Sequence, residues 1–160
     1  MQIPNHIIKM MELTHTFGWL VGVDDKLMCD FCRTCGLWVT DDEYLIVIIT
    51  PSLTKSLLNS MQSNLNVACT IVNAYTMESY QFKGIYLEHR ALIAEEEKLK
   101  QACMQGIHDV LNGMGFEYGE SYKKYADLDG IAVKMKVNEI FEQTPKKGTG
   151  GKIIVKENQS

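Results

Sequence analysis

Long hydrophobic runs are missing from this chain. No stretch approaches the ~20 apolar residues that a helix needs to cross a bilayer, so a helical membrane protein is not expected. The first residues, MQIPNHIIKMMEL, hold neither an apolar core nor a small-residue cleavage site, and a secretory signal is not expected either. Positive charge is not in excess. Sixteen Lys and Arg against twenty Asp and Glu leave a net charge of −4, which speaks against a general binder of nucleic acid or membrane surfaces. Only four histidines are present. They are scattered, and no two have the i, i+4 spacing of a helical metal site. Internal repeats are absent. The five cysteines are an odd number, and without a signal the reading is free thiols in a reducing cytoplasm.

What is present suits one ordinary globular domain. The chain has 160 residues, 46% apolar and 22% charged. That length buries roughly 70% of the unfolded surface without staples. Residues 1–152 are expected to form the domain and 153–160 a tail. Residues 4–13 carry Ile7, Ile8 and Met11 on one helical face. HTFGWLVGV and MCDFCRTCGLWV read as two strands joined by a DDK turn, and YLIVII as a third. YLIVII has no alternation, which predicts burial on both faces. Residues 52–64 read as a helix with Leu53, Leu57, Leu58 and Met61 along one stripe and Ser52 as its N-cap.

NVACTIVNA and SYQFKGIYLEHRALIA are the fourth and fifth strands, with Gly84 marking a bulge or a close backbone approach. AEEEKLKQACMQGIHDVLNGMG is the clearest helix. Leu99, Cys103, Ile107, Val110, Leu111 and Met114 share one face, and Gly113 and Gly115 end it. Residues 119–130 read as a short helix plus turn. IAVKMKVNEIF alternates and makes a half-exposed strand. About six strands and three helices result, and the early hairpins favour an antiparallel sheet or barrel.

The stretch TPSLTKSLLNS, residues 50–60, follows the buried third strand and opens a helix. Helix N-termini hold unpaired N–H groups and roughly half a positive charge, and phosphates bind there. Thr54 adds a hydroxyl and Lys55 a full charge. A plainer alternative stands beside this one: Ser52 caps the helix, and Lys55 is one more solvated lysine.

Four stretches in order resemble the pyridoxamine 5′-phosphate oxidase-like proteins, the FMN-binding split β-barrels. They are the two early hairpin strands, T-P-S-L-T-K-x-L-L-N, E-S-Y-Q-F-K-G, and a late strand ending in E-Q-T-P-x-x-x-x-G. The resemblance covers residues 4–152. It implies a mainly β (α+β) fold, a six-stranded antiparallel split β-barrel with flanking helices. It also implies a homodimer with FMN at the subunit interface. Lys55 and Thr54 match positions that hold the FMN phosphate, and Arg33 matches an arginine of the phosphate region. Thr34 and Cys35 continue that strand along the flavin. Ile49 and Thr50 match the strand end beneath it, and Gln81 matches a glutamine that often reaches over from the partner subunit.

Two departures matter. Thr54 stands where the oxidase has arginine, so one positive charge is missing. The tail QTPKKGTGGK lacks the oxidase's substrate residues, so pyridoxamine phosphate oxidase activity itself is not expected. Lys146, Lys147 and Lys152 of that tail are expected near an anionic ligand. No catalytic residue is assigned, because the cofactor carries the chemistry.

CDFCRTC, residues 29–35, has the C-x-x-C-x-x-C spacing of iron–sulfur sites. A straight strand rises about 3.3 Å per residue and alternates its faces. Cys29 and Cys35 would then share a face roughly 20 Å apart, with Cys32 pointing the other way. No metal site is expected, and Cys69 and Cys103 read as core residues. Three functions remain: an FMN-dependent oxidoreductase, a non-catalytic module binding flavin or another anion on the same barrel, and a metal protein through Cys29, Cys32 and Cys35.

Overall fold

A computed structural model describes residues 2–116 and 119–153, with the backbone alone at positions 55, 119 and 120. The strands are β1 (Thr16–Val23), β2 (Cys29–Arg33), β3 (Gly36–Val39), β4 (Leu45–Ile49), β5 (Asn66–Asn73), β6 (Ser79–Ala91) and β7 (Ile131–Glu142). The helices are α1 (Asn5–Met11), α2 (Lys55–Asn64), α3 (Ala94–Gly113) and α4 (Gly119–Ala126). All strand pairings are antiparallel, in the order β2-β1-β5-β6-β7-β4-β3. No helix among the described residues is long and apolar enough to cross a membrane.

β2 and β3 are the two edges of this order, yet only Thr34 and Cys35 separate them in the chain. The Thr34 N–H bonds the Gly18 carbonyl of β1, whereas the Cys35 N–H bonds the Ile48 carbonyl of β4. Arg33 and Gly36 are three residue steps apart, about 11 Å at most, so the sheet must roll until its edges meet. The ribbon is a barrel, split where one strand changes partners. Gly36, at φ +153°, starts the second half in a conformation that side chains disfavour. The sequence predicted six strands with residues 28–39 as one. Among the described residues there are seven, because that strand breaks.

Cross-strand rows show where the core lies. Cys32, Leu20, Cys69, Phe82 and Ile140 pair in succession across β2, β1, β5, β6 and β7, and all are buried inside the barrel. The next row, Arg33, Trp19, Thr70, Gln81 and Phe141, faces outward. β4 does not alternate because both of its faces are covered. Leu45, Val47 and Ile49 join the barrel core, while Ile48 packs with Cys35, Cys103 and Met104 beneath α3. α3 buries Cys103, Ile107 and Val110 as its periodicity predicts, but Met114 lies beyond the helix end and is exposed.

α2 lays Leu57 and Met61 on the barrel core. Leu53 does not continue that stripe, because the helix starts two residues after it. Gly84 sits at a bulge in β6, and a Cβ there would run into the Lys136 carbonyl of β7. The tail folds back along the end of β7: the Glu142 N–H bonds Gly151 O and the Ile153 N–H bonds Ile140 O.

Candidate functional site

Pro51 ends β4, since it has no N–H for a ladder and its ring suits the start of a helical turn. A single 3-10 turn, Pro51–Leu53, follows, closed by the Leu53 N–H to Thr50 O and the Thr54 N–H to Pro51 O. α2 then begins at Lys55 with Thr54 as its N-cap. Ser52 is therefore not the cap that the sequence suggested: the tight turn moves the helix start three residues on. The Thr54 hydroxyl makes no capping bond and is buried without a partner.

Residues 32–35 run beside this junction. Cys35 Sγ lies 3.6 Å from Thr50 Oγ1, joining the two segments. The break at residues 34–35 also overturns the straight-strand geometry of the cysteines. Cys32 and Cys35 line one cavity, whereas Cys29 is exposed. Burial pushes the Cys32 thiol up to about 11 and raises Cys35 as well. Both are neutral thiols at neutral pH and poor nucleophiles or ligands. Among the described residues, no three His, Cys, Asp or Glu side chains gather as a metal site would require.

Arg33 dominates the electrostatics. Its guanidinium carbon lies 4.9 Å from the centre of the Phe17 ring, 6.0 Å from Trp19 and 4.4 Å from Tyr122. Nη1 donates to Tyr122 Oη at 2.9 Å. No carboxylate among the described residues pairs with it. Burial disfavours its charged form and lowers its pKa, and its Nε is buried without a partner. A desolvated cation with an unused donor is costly unless an anion meets it.

The cavity around these groups is about 260 Å³ and is lined by Trp19, Phe31, Cys32, Arg33, Cys35, Thr50, Leu53, Tyr122 and Tyr125. A larger one, about 630 Å³, lies over β1, β5, β6 and β7, and of the sequence-predicted site residues it holds Lys152 alone. Its cations are already engaged. Lys83 Nζ sits 4.7 Å from the centre of the Phe141 ring, and Lys152 bonds Glu139 at 2.7 Å. The smaller cavity is the better candidate, because its neighbourhood holds the unpaired donors.

No protein-family model matches the chain, and no characterised sequence does. Solved structures share its fold. HupZ of Group A Streptococcus superposes with a TM-score of 0.54 at 13% identity, over 94% of this chain and 99% of that one. A pyridoxamine 5′-phosphate oxidase-related, FMN-binding protein of Nostoc punctiforme matches with a TM-score of 0.51 at 9% identity, over 95% and 91%. The fold is the pyridoxamine 5′-phosphate oxidase-like split barrel. At identities this low the likeness is one of fold, and the site must be argued from its own residues.

Within this split barrel, Arg33, Cys35 and Thr50 line the cavity. Thr34 is buried on the same segment, and Thr54 directly follows Leu53 of the lining. Ile49 faces the barrel core instead, at 0% exposure, because β4 alternates its side chains across two covered faces. Gln81 lies in the outward row of Arg33 but three strands away, or about 14 Å at ordinary strand spacing, with its amide on Thr70 Oγ1 at 3.3 Å. The Lys55 side chain lies outside the described residues. Of the tail lysines, Lys146 bonds Glu142 at 2.7 Å and Lys152 bonds Glu139. Both pair with carboxylates of β7, and Lys152 also lines the larger cavity, away from Arg33.

Sequence reasoning missed Trp19, Phe31, Tyr122 and Tyr125. Only the cross-strand register brings Trp19 beside Arg33, and only the packing of α4 brings the tyrosines, so no local pattern marked them.

Proposed function

We propose that this chain binds FMN at the Arg33 cavity and serves as a flavin-dependent oxidoreductase. One observation carries the reading. Among the described residues, three buried polar side-chain atoms have no partner: Arg33 Nε, Thr34 Oγ1 and Thr54 Oγ1. All three belong to the segments that Cys35 and Thr50 join, and all three can donate to an anion. Leaving such a donor unsatisfied costs about 1–3 kcal/mol. A phosphate offers enough acceptor oxygens for all three. Arg33, Thr34 and Thr54 would hold that phosphate, with Lys55 adding charge from the first turn of α2, while Thr50 and Cys35 border the ligand. Bound FMN would supply hydride or electron transfer, and the protein would bind it, orient it and exclude water.

A homodimer is part of the reading. The outward row puts Trp19, Thr70 and Gln81 on a half-exposed sheet face that a second copy could cover. Gln81 would then serve the partner's site, since it lies too far from Arg33 of its own chain. The five thiols, all free, suit a reducing cytoplasm. The test is a flavin titration with a sizing run. Wild-type protein is expected to take up FMN as a dimer. Arg33→Met is expected to lose roughly 10- to 100-fold in affinity, the worth of a charged hydrogen bond. Unchanged affinity in that variant would remove Arg33 from the site.

A second reading rests on the charge count. Arg33 is the one cation among the described residues lining the cavity, and Thr54 stands where the oxidase has arginine. The barrel would then be a carrier or sensor of a flavin or another anion. FMN-loaded protein that neither NAD(P)H nor a reductase reduces would favour it.

A further inference from the structure

The site described so far accounts for an anion, and its walls are aromatic. Trp19, Phe31, Tyr122 and Tyr125 surround the cavity of Arg33. Tyr122 and Tyr125 are three residues apart on α4, which puts them on one helical face. Their rings stack at 5.8 Å with an interplanar angle of 30°. The pair is held from behind. Tyr125 and Ala126 pack on the core cluster of Cys35, Ile48, Cys103 and Met104. The Lys100 ammonium, itself buried, anchors the chain just past α4 by donating to Leu128 O at 2.7 Å, with Glu97 at 2.9 Å. A bare phosphate would need none of these rings. A planar heteroaromatic ring bearing a phosphate would use both the rings and the cation.

We propose that α4 is a binding element: Tyr122 and Tyr125 form the wall that recognises the planar ring of the ligand, and Tyr122 holds Arg33 ready for the anionic end of the same molecule. This rests on the flavin reading above and adds the residues that would select a ring over a simple anion. Tyr122 is a positioning residue for Arg33 through its hydroxyl and a binding residue through its ring.

The test uses the whole protein and the fluorescence of added FMN, with thermal unfolding as the control for folding. Tyr122→Leu and Tyr125→Leu are each expected to weaken FMN about 2- to 10-fold, the range for an aromatic pair. The flavin they bind is expected to be less quenched. Tyr122→Phe keeps the ring and is expected to keep the quenching. Nitration of wild-type protein gives a second measurement that needs no variant: FMN is expected to protect Tyr122 and Tyr125, but not Tyr75, which is 64% exposed. If wild-type protein binds FMN while both leucine variants match it in affinity and quenching, or while both tyrosines nitrate at unchanged rates, the role of α4 is refuted and the flavin reading stands. If wild-type protein does not bind FMN, both fall.

Discussion

Replacing Thr54 with valine should move stability and binding in opposite directions. Thr54 is only 4% exposed, and its hydroxyl has no partner. Valine keeps the branched shape and removes the stranded polar atom. Relieving an unsatisfied buried group returns about 1–3 kcal/mol to the ligand-free protein. For a domain of this size each kcal/mol is worth about 2–4 °C in Tm, so the variant should melt several degrees higher. With FMN the order changes. If the hydroxyl donates to the phosphate, its loss weakens binding roughly 10- to 100-fold. At a ligand concentration of 100 times the wild-type Kd, binding stabilises the wild type by about 2.7 kcal/mol. A variant with a tenfold weaker Kd gains only about 1.4 kcal/mol at that concentration. Urea unfolding with an unchanged slope, run with and without FMN, reads both terms. A ligand-free variant less stable than wild type would show that the hydroxyl already has a partner. FMN affinity equal to wild type would take Thr54 out of the phosphate site.

Alkylation of native protein followed by mass spectrometry should label Cys29 first, since the other four thiols are buried. Stability should also fall as pH rises above 9.0, the ordinary thiol value. Unfolded thiols ionise there, while burial holds Cys32 and Cys103 protonated until about 11 and Cys69 until about 12. Alkaline denaturation curves that stay flat from pH 9 to 11 would contradict this. Gly84→Ala should destabilise by about 3 kcal/mol or more, because the new Cβ meets the Lys136 carbonyl, a backbone atom with little room to give; urea midpoints measure it.

Glu96→Gln should cost about 1.5 kcal/mol in the same assay. Glu96 is buried and accepts from both Arg90 Nη1 and Nη2, Trp38 Nε1 and the Ile93 N–H, although Arg90 is 44% exposed and solvent screens its share. Burial pushes the Glu96 carboxyl up, but those bonds outweigh it and hold the pKa below 4.5. The gap between wild type and variant should therefore be full above pH 4.5 and close as pH falls through the lower folded value.

Much of the barrel was legible because period and polarity report on nearest neighbours. The alternation of β7, the unbroken apolar run of β4 and the helical stripe of α3 each state which side of an element meets the core. Gly84 was legible for a similar reason: a glycine inside a strand marks a neighbour with no room for a side chain. The helix start was misplaced, because Pro51 supports a 3-10 turn as readily as an α-helical one, and the choice depends on where α2 must lie to seat Leu57 and Met61. The cysteine geometry was misjudged because nothing local in CDFCRTC says that a strand will exchange one partner for another at Thr34.

By itself, then, the order of residues determined the elements, their buried faces and the chain segments on which an anion site could form, since short-range sterics and hydrophobic period decide those. Tertiary structure alone decided that residues 33–35 and 50–54 meet, that Arg33 sits among Phe17, Trp19 and Tyr122, and that Ile49 turns to the core while Thr50 turns to the cavity. Closing the barrel brings together groups far apart in the chain, as in the bond between Arg33 and Tyr122, 89 positions apart. Such contacts depend on register and helix packing summed over the whole chain, and no window of sequence contains them.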